Sequence, residues 1–305
     1  MVIQRLRNFL KRICPVSVLP VLDHIRMFIK SIAARIRMCL HLPLKKVPAK
    51  LKFEMHLVEH CNLNCRGCSN FSPLAGPEFV DVEEFRRDFI RLGDVFSHTC
   101  ERIWLMGGEP LLHPEISTLV RIARENFSDG EISVFTNGIL LPQMKDDFWE
   151  SCRDSNTGIL ISAYPINLPI DKIRDSALKF GVQVRWAWNQ SDKERDLFII
   201  RPVNLAGDSN ININFGICPH SVDCITLSHG RLYTCCFAPH VHHFSNFFRK
   251  DILITDSDSV DIYGELSAKE ILRRLAEPIP ACRYCNLSGK FVEWGISGKK
   301  IDEWV

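Results

Sequence analysis

From residue 52 the chain alternates short apolar runs with longer amphipathic ones. KFEMHLV (52–58), RIWLM (102–106), EISVF (131–135), TGILISA (157–163), VQVRWAW (182–188) and LFII (197–200) have the length and the β-branched or aromatic content of strands. Between them VEEFRRDFIRLGDVF (82–96), PEISTLVRIARENF (114–127), QMKDDFWESC (143–152) and IDKIRDSALKF (170–180) repeat apolar residues at helical spacing. Repeated βα units with short links predict a parallel sheet covered by helices, either an open doubly wound sheet or a partial barrel. Five or six units fall short of the eight that close a full barrel. Both geometries bind ligands beyond the carboxyl ends of the strands. A cysteine triplet (61–68), GGEP (107–110) and TNG (136–138) each follow such an end.

The two flanks read differently. In residues 1–48, HIRMFIKSIAARIRMCLHL places Ile25, Phe28, Ile29, Ile32, Ile36 and Leu40 on one helical face and Arg26, Lys30 and Arg37 largely on the other. Two readings stand: an arm packed on the main body, or a helix lying on an anionic membrane surface. After residue 205 the βα rhythm stops. The hairpin-like ITLSHGRLYTCC, a loose stretch (237–265), a short helix SAKEILRRLA and IPACRYCNLSGKF suggest a small module whose core would gain from a metal staple. The expected division is a basic arm (1–50), a barrel (51–205) and a cysteine-rich α+β module (206–305).

Charge sharpens the division. Residues 1–50 hold eleven of the 38 lysines and arginines and one of the 36 acids, so the arm is strongly basic and the remainder acidic. A net charge of +2 argues against a dedicated nucleic-acid binder. Thirteen cysteines, an odd number set in close pairs and triplets, suit metal binding in a reducing compartment better than a disulfide framework. No signal peptide is evident and no apolar run reaches a membrane span, which suggests a cytoplasmic protein.

EHCNLNCRGCSN (59–70) sets Cys61, Cys65 and Cys68 at gaps of three and two residues. Thiolates select zinc, copper(I) or iron–sulfur clusters. A structural zinc site wants four ligands, commonly from C-x2-C pairs, and this spacing is not that pattern. A [4Fe–4S] cluster on three cysteines keeps one iron open.

Here the chain resembles the radical S-adenosylmethionine superfamily, whose hallmark CxxxCxxC follows the first strand of a partial (β/α)6 barrel. The resemblance spans about residues 52–200 and rests on four motifs in order. MGGEP (106–110) is similar to the glycine-rich motif that binds the methionine amino group, where Gly107 and Gly108 give room and free amides beside Glu109. Thr136 and Asn137 of FTNG match polar contacts to the cosubstrate, and Ser162 of ISAY matches a position that touches ribose or the methionine carboxylate. The resemblance implies a cluster on Cys61, Cys65 and Cys68, whose open iron chelates S-adenosylmethionine. Reductive cleavage then yields a 5′-deoxyadenosyl radical that abstracts hydrogen from a substrate, with flavodoxin or ferredoxin as reductant. One departure is Gly67, where the family places an aromatic residue; Phe71 is the candidate replacement for stacking on adenine.

Cys218, Cys235, Cys282 and Cys285 form a second set, C-x16-C and a distant C-x2-C, around a glycine turn at Gly230. This layout resembles the twitch module, a shortened relative of the SPASM domain, which implies one auxiliary [4Fe–4S] cluster. A four-cysteine zinc site is the rival reading, and Cys224 or Cys236 could replace a neighbouring ligand or donate hydrogen. Cys14, Cys39, Cys100 and Cys152 read as buried or inert thiols. Glu59, with His60, adjoins the first cysteine loop, and Trp186, Trp188 and Asn189 end the fifth strand; any could face substrate, though the tryptophans suit core or rim packing. His113 reads as the start of a helix, HVHHF (240–244) as a solvated loop, and WGIS (294–297) as a segment folding over the site mouth.

The reading that follows is an enzyme that oxidises or epimerises a small polar substrate, of sugar or nucleotide-sugar type. The alternatives are a peptide maturase, whose winged-helix recognition domain the arm is too short to supply, and an electron-transfer or scaffold protein.

Overall fold

The computed structural model describes residues 19–96, 98–187 and 197–305. The chain enters by α1 (Leu19–Cys39), then runs β1 (Leu51–Val58), α2 (Val82–Phe96), β2 (Cys100–Gly107), α3 (Ile116–Asn126), β3 (Glu131–Thr136), α4 (Asp146–Asp154), β4 (Thr157–Ile161), α5 (Ile170–Phe180) and β5 (Val184–Trp186). β6 (Leu197–Ile200), α6 (Ile211–Ile217), β7 (Ile225–Ser228), β8 (Arg231–Tyr233), α7 (Phe237–Phe248), β9 (Ser259–Asp261), α8 (Ala268–Leu275) and β10 (Lys290–Glu293) follow.

The main sheet has the order β5-β4-β3-β2-β1-β7-β8-β9. β1 to β5 are mutually parallel and β7 joins parallel to β1, giving six parallel strands of a partial barrel. The sixth place is taken by β7, not by LFII as the rhythm suggested: β6 pairs antiparallel with β10 in a separate two-stranded sheet. ITLSHGRLY forms the expected hairpin of β7 and β8, turning at Gly230 with φ 68°.

Strand alternation decides the layers. Phe53, Met55 and Leu57 of β1 point outward and are buried with Phe85, Phe89 and Leu92 of α2, the Phe53 and Phe89 rings lying 5.7 Å apart. Each such side chain contributes up to about 1.5–3 kcal/mol by leaving water. The intervening Glu54 and His56 face the opposite way, across from Trp104 and Met106 of β2. The barrel interior is therefore polar, with Glu54 and His56 both buried.

Residues 237–248, expected to be loose, form helix α7. Its histidines and a first-turn Pro239 weaken the helical signal locally, while burial of Val241 and Phe244 against Phe71 and Trp304 supplies the stabilisation. α1 docks on α6 through Met27 and Ala34, the stripe opposite to the apolar face predicted to be its main one.

Candidate functional site

The first cysteine loop begins where β1 ends. Left-handed backbone at Asn64 (φ 50°), Gly67 (φ 61°) and Phe71 (φ 57°) coils it above the sheet. At Gly67 a Cβ would lie 2.7 Å from Ile200 Cγ2 and 3.0 Å from the Glu303 carbonyl, so the aromatic residue of the family pattern cannot fit. Phe71 does not replace it. That ring is buried and packs edge-on against Phe237, in the cluster shared with Val241 and Trp304. Aromatic side chains that do reach the loop include Tyr164, stacked 5.7 Å from Phe198, Trp294, and Trp304, whose Nε1–H donates to the Cys68 carbonyl (2.9 Å).

The sulfurs receive N–H donors. The Leu63 amide lies 3.4 Å and Asn137 Nδ2 3.7 Å from Cys61 Sγ, and Trp294 Nε1 lies 3.2 Å from Cys65 Sγ. Trp294 arrives because the C-terminal run covers the loop. The Arg66 N–H donates to the Gly295 carbonyl (2.7 Å), the Ser297 N–H to that of Asn64 (2.8 Å), and Ile296 bridges to Cys65. WGIS thus lies where the sequence suggested.

Burial pushes the thiols up, Cys61 to about 11 and Cys65 to about 12, and Cys68 rises for the same reason. Proximity of the other sulfurs adds to the first two shifts, so three thiolates here call for a cationic group. A tetrahedral zinc ion with bonds of about 2.3 Å needs sulfurs about 3.7 Å apart. Among the described residues, neither cysteine set gathers three sulfurs within 4.8 Å of one another. The triplet's spacing and chemistry fit a larger group such as a [4Fe–4S] cluster.

GGEP and TNG tie the neighbouring strand ends to that loop. A Cβ on Gly107 would lie 2.3 Å from the Val58 carbonyl, and one on Gly108 2.1 Å from that of His60. Contrary to the expectation from the motif, the Gly108 amide is engaged: it donates to the Val58 carbonyl (2.7 Å), and the Glu109 amide donates to the His60 carbonyl (3.1 Å). The glycines let β2 press against the chain that carries the cysteines. Glu109 is fully buried, with Oε1 accepting from Thr136 Oγ1 (2.6 Å) and the Leu111 amide (3.1 Å), and Oε2 from the Asn137 amide (2.9 Å). Burial raises its carboxyl to about 7 against those hydrogen bonds. Asn137 Nδ2 donates to Asn62 (2.7 Å), and the Ser162 amide to the Thr136 carbonyl (2.9 Å). Gly107, Gly108, Glu109, Thr136, Asn137 and Ser162 thus share one rim with the cysteines. His113 caps the turn after GGEP, Nε2 to the Val80 carbonyl at 3.0 Å.

Glu59 belongs to a network whose other members the sequence did not reveal. His56 Nδ1 (3.4 Å), His240 Nδ1 (3.2 Å) and His243 Nε2 (2.9 Å) converge on Glu59 Oε2. HVHHF is therefore not a solvated loop; it is part of α7, with His240 and His243 buried. Burial opposes ionisation of Glu59, but His240, His56 and His243 override it and hold the carboxyl below the usual range. Burial, reinforced by His56, pushes His240 down to about 4. The His56 and His240 rings stack at 3.6 Å with planes 10° apart, and one ligand atom from each of His56, Glu59 and His240 lies within 4.8 Å of the others, close enough to hold a metal ion. The signal missed was the pairing of His56 with Glu59 at i, i+3 across a strand end.

In the second set, Cys218, Cys235, Cys282 and Cys285 wall one cavity of about 20 Å³ with Phe237 and Asn214. Asn214 Nδ2 donates to the Cys282 (2.8 Å) and Cys285 (2.7 Å) carbonyls, fixing the C-x2-C turn to α6. Cys224 and Cys236 stand outside that cavity; Cys224 Sγ lies 3.5 Å from His220 Nδ1, and both thiols are raised by burial with Glu54 nearby. Of the remaining cysteines, Cys100 and Cys152 are buried and pushed up to about 12, whereas Cys39 is exposed. Trp186 is half-buried against the core; Cys14, Trp188 and Asn189 lie outside the described residues.

Residues 55–168 match the model of the Radical SAM superfamily. The GTP 3′,8-cyclase of Chlorobaculum tepidum is 29% identical over 142 residues, covering 47% of this chain and 39% of that protein. That of Aquifex aeolicus is 31% identical over 110 residues, 33% of this chain and 32% of that one. The chain thus matches well under half the length of either relative. Among solved structures, BtrN in complex with AdoMet and 2-DOIA aligns over 78% of this chain and 94% of its own at 13% identity and TM-score 0.44. Native anSMEcpe with bound AdoMet aligns over 77% and 84% at 12% identity and TM-score 0.45. The cysteine loop at the end of β1 and the glycine-rich turn at the end of β2 both fall inside residues 55–168, the stretch similar to the Radical SAM superfamily, whose members work with a [4Fe–4S] cluster and S-adenosylmethionine.

Proposed function

We propose that this chain is a radical S-adenosylmethionine enzyme that dehydrogenates or epimerises a small hydroxyl-bearing substrate of sugar or nucleotide-sugar type, with a second [4Fe–4S] cluster on Cys218, Cys235, Cys282 and Cys285. The first cluster and its cosubstrate supply a 5′-deoxyadenosyl radical for hydrogen abstraction. Cys61, Cys65 and Cys68 hold that cluster; the rim from Gly107 to Ser162 positions the cosubstrate; the WGIS segment excludes water from the loop. The strands from β1 to β5 together with β7 act as the barrel unit and the rest of residues 206–305 as the auxiliary unit, in a cytoplasmic protein reduced by a flavodoxin or ferredoxin.

The observation that carries the substrate class is the barrel interior. His56 Nε2, Trp104 Nε1, Ser133 Oγ and His240 Nε2 are buried polar atoms that find no hydrogen-bond partner among the described residues. Each costs about 1–3 kcal/mol when left unpaired, a cost that substrate hydroxyls would remove. The C-x16-C and C-x2-C spacing around a glycine turn, with all four cysteines on one cavity wall, supports the second cluster over the zinc reading. Glu59, Cys224 and Cys236 border the same interior and are the side chains proposed to contact the substrate or hand it a hydrogen. The test is transfer of deuterium from carbon-labelled sugars and nucleotide-sugars into 5′-deoxyadenosine. Label from one such compound supports the reading; label only from a precursor peptide would replace it.

A further inference from the structure

α1 carries an apolar surface that no other described residue covers. At about 100° per residue, Val21, Ile25, Phe28, Ile29, Ile32 and Ile36 fall on an arc of about 100°. All six are between 43 and 67% exposed. The diametrically opposite stripe is the one that docks: Met27 and Ala34 are buried against Ile217 and Leu287. The docking is specific. A Cβ on Gly216 would stand 3.2 Å from that of Ala34, and Arg201 meets Asp23 at 3.4 Å. The helix is therefore held at a fixed rotation that turns the Phe28 stripe outward over about 32 Å of length.

Charge selects the occupant. Arg26 and Arg37 border the stripe on one side and Arg35 on the other, all exposed, and Asp23, the helix's one acid, is engaged by Arg201. A second copy meeting this face about a two-fold axis would set arginine against arginine with no acid between. Among the described residues no helix is long and apolar enough to cross a membrane. An apolar arc flanked by cations is the pattern of a helix lying in the plane of an anionic lipid surface, with its arginine stems reaching back to the headgroups.

We infer that α1 seats the protein on an anionic membrane surface, with the Phe28 stripe entering the headgroup–acyl boundary and the barrel held beside it. An enzyme so placed would meet a substrate carried on lipid or delivered at that surface.

The test is flotation of the full chain, both cysteine sets loaded with iron, with vesicles of phosphatidylcholine alone or mixed with phosphatidylglycerol. Binding at least about tenfold stronger to the anionic vesicles, and weakening with salt, is expected. The double variant F28E/I32E changes two exposed side chains that touch neither cysteine set. It should lower the partition about tenfold or more, with iron content and 5′-deoxyadenosine formation as in the parent. No flotation at low salt, equal binding to both vesicle types, or a dimer that F28E/I32E dissolves would each overturn the inference.

Discussion

Trp294 links the C-terminal segment to Cys65, and so to the electronics of the cluster proposed on the first cysteine loop; replacing it by phenylalanine isolates that link. The indole Nε1–H sits 3.2 Å from Cys65 Sγ, whereas the ring itself packs near Tyr164, so W294F removes the donor and keeps most of the packing. A hydrogen bond to a charged group is worth about 1.5–3 kcal/mol. The added electron spreads over the cluster, so roughly a third of that, about 0.5–1 kcal/mol, distinguishes the reduced from the oxidised state. At about 59 mV per 1.4 kcal/mol for one electron, the midpoint should fall by about 20–40 mV. The sign follows because an N–H donor favours the more negative, reduced cluster. Anaerobic potentiometric titration followed by electron paramagnetic resonance reads it, on the signal that changes shape when S-adenosylmethionine is added. A midpoint within about 10 mV of the parent, at equal iron content, would refute the reasoning.

Gly67→Phe, which restores the family's aromatic residue, should destabilise the protein by about 2–4 kcal/mol and empty the first loop of iron, because its Cβ meets Ile200 at 2.7 Å on a left-handed backbone; urea denaturation and iron analysis measure this. His240→Ala removes the stack on His56 and a partner of the buried Glu59, and should cost about 2–4 kcal/mol. The same residue sets a pH dependence. Unfolded His240 takes a proton below about 6.5 and folded His240 only below about 4, so its contribution is full above pH 6.5 and is lost as pH falls toward 4. Denaturation midpoints across that window should slope in the parent and flatten in H240A. Cys218→Ser should lower iron by the content of one cluster, while Cys224→Ser leaves it unchanged, since Cys224 stands outside the four-thiol cavity.

The barrel was readable because its period-2 and period-3.6 patterns are long and clean: α2 and α5 begin and end where the periodicity places them, at Val82–Phe96 and Ile170–Phe180. The rim was readable because each motif is contiguous in sequence at a strand end. What escaped depends on distance along the chain. β7 enters the sheet beside β1 across about 170 residues, and no local pattern in ITLS announces a parallel partner. His240 gains its meaning from Glu59, again far away, and α7 from Phe71 and Trp304. In α1 the periodicity named the larger apolar face correctly, yet the smaller stripe of Met27 and Ala34 docks, because Gly216 allows close approach only to a small side chain.

The central claim is that Cys61, Cys65 and Cys68 hold an iron–sulfur cluster with one iron open to S-adenosylmethionine. Mössbauer and electron paramagnetic resonance spectra of anaerobically prepared protein, recorded before and after adding S-adenosylmethionine, test it most directly. The account predicts a [4Fe–4S] signal that is lost in C61A/C65A/C68A and that shifts on addition in the parent. A spectrum indifferent to S-adenosylmethionine, or one unchanged by that triple substitution, would contradict it.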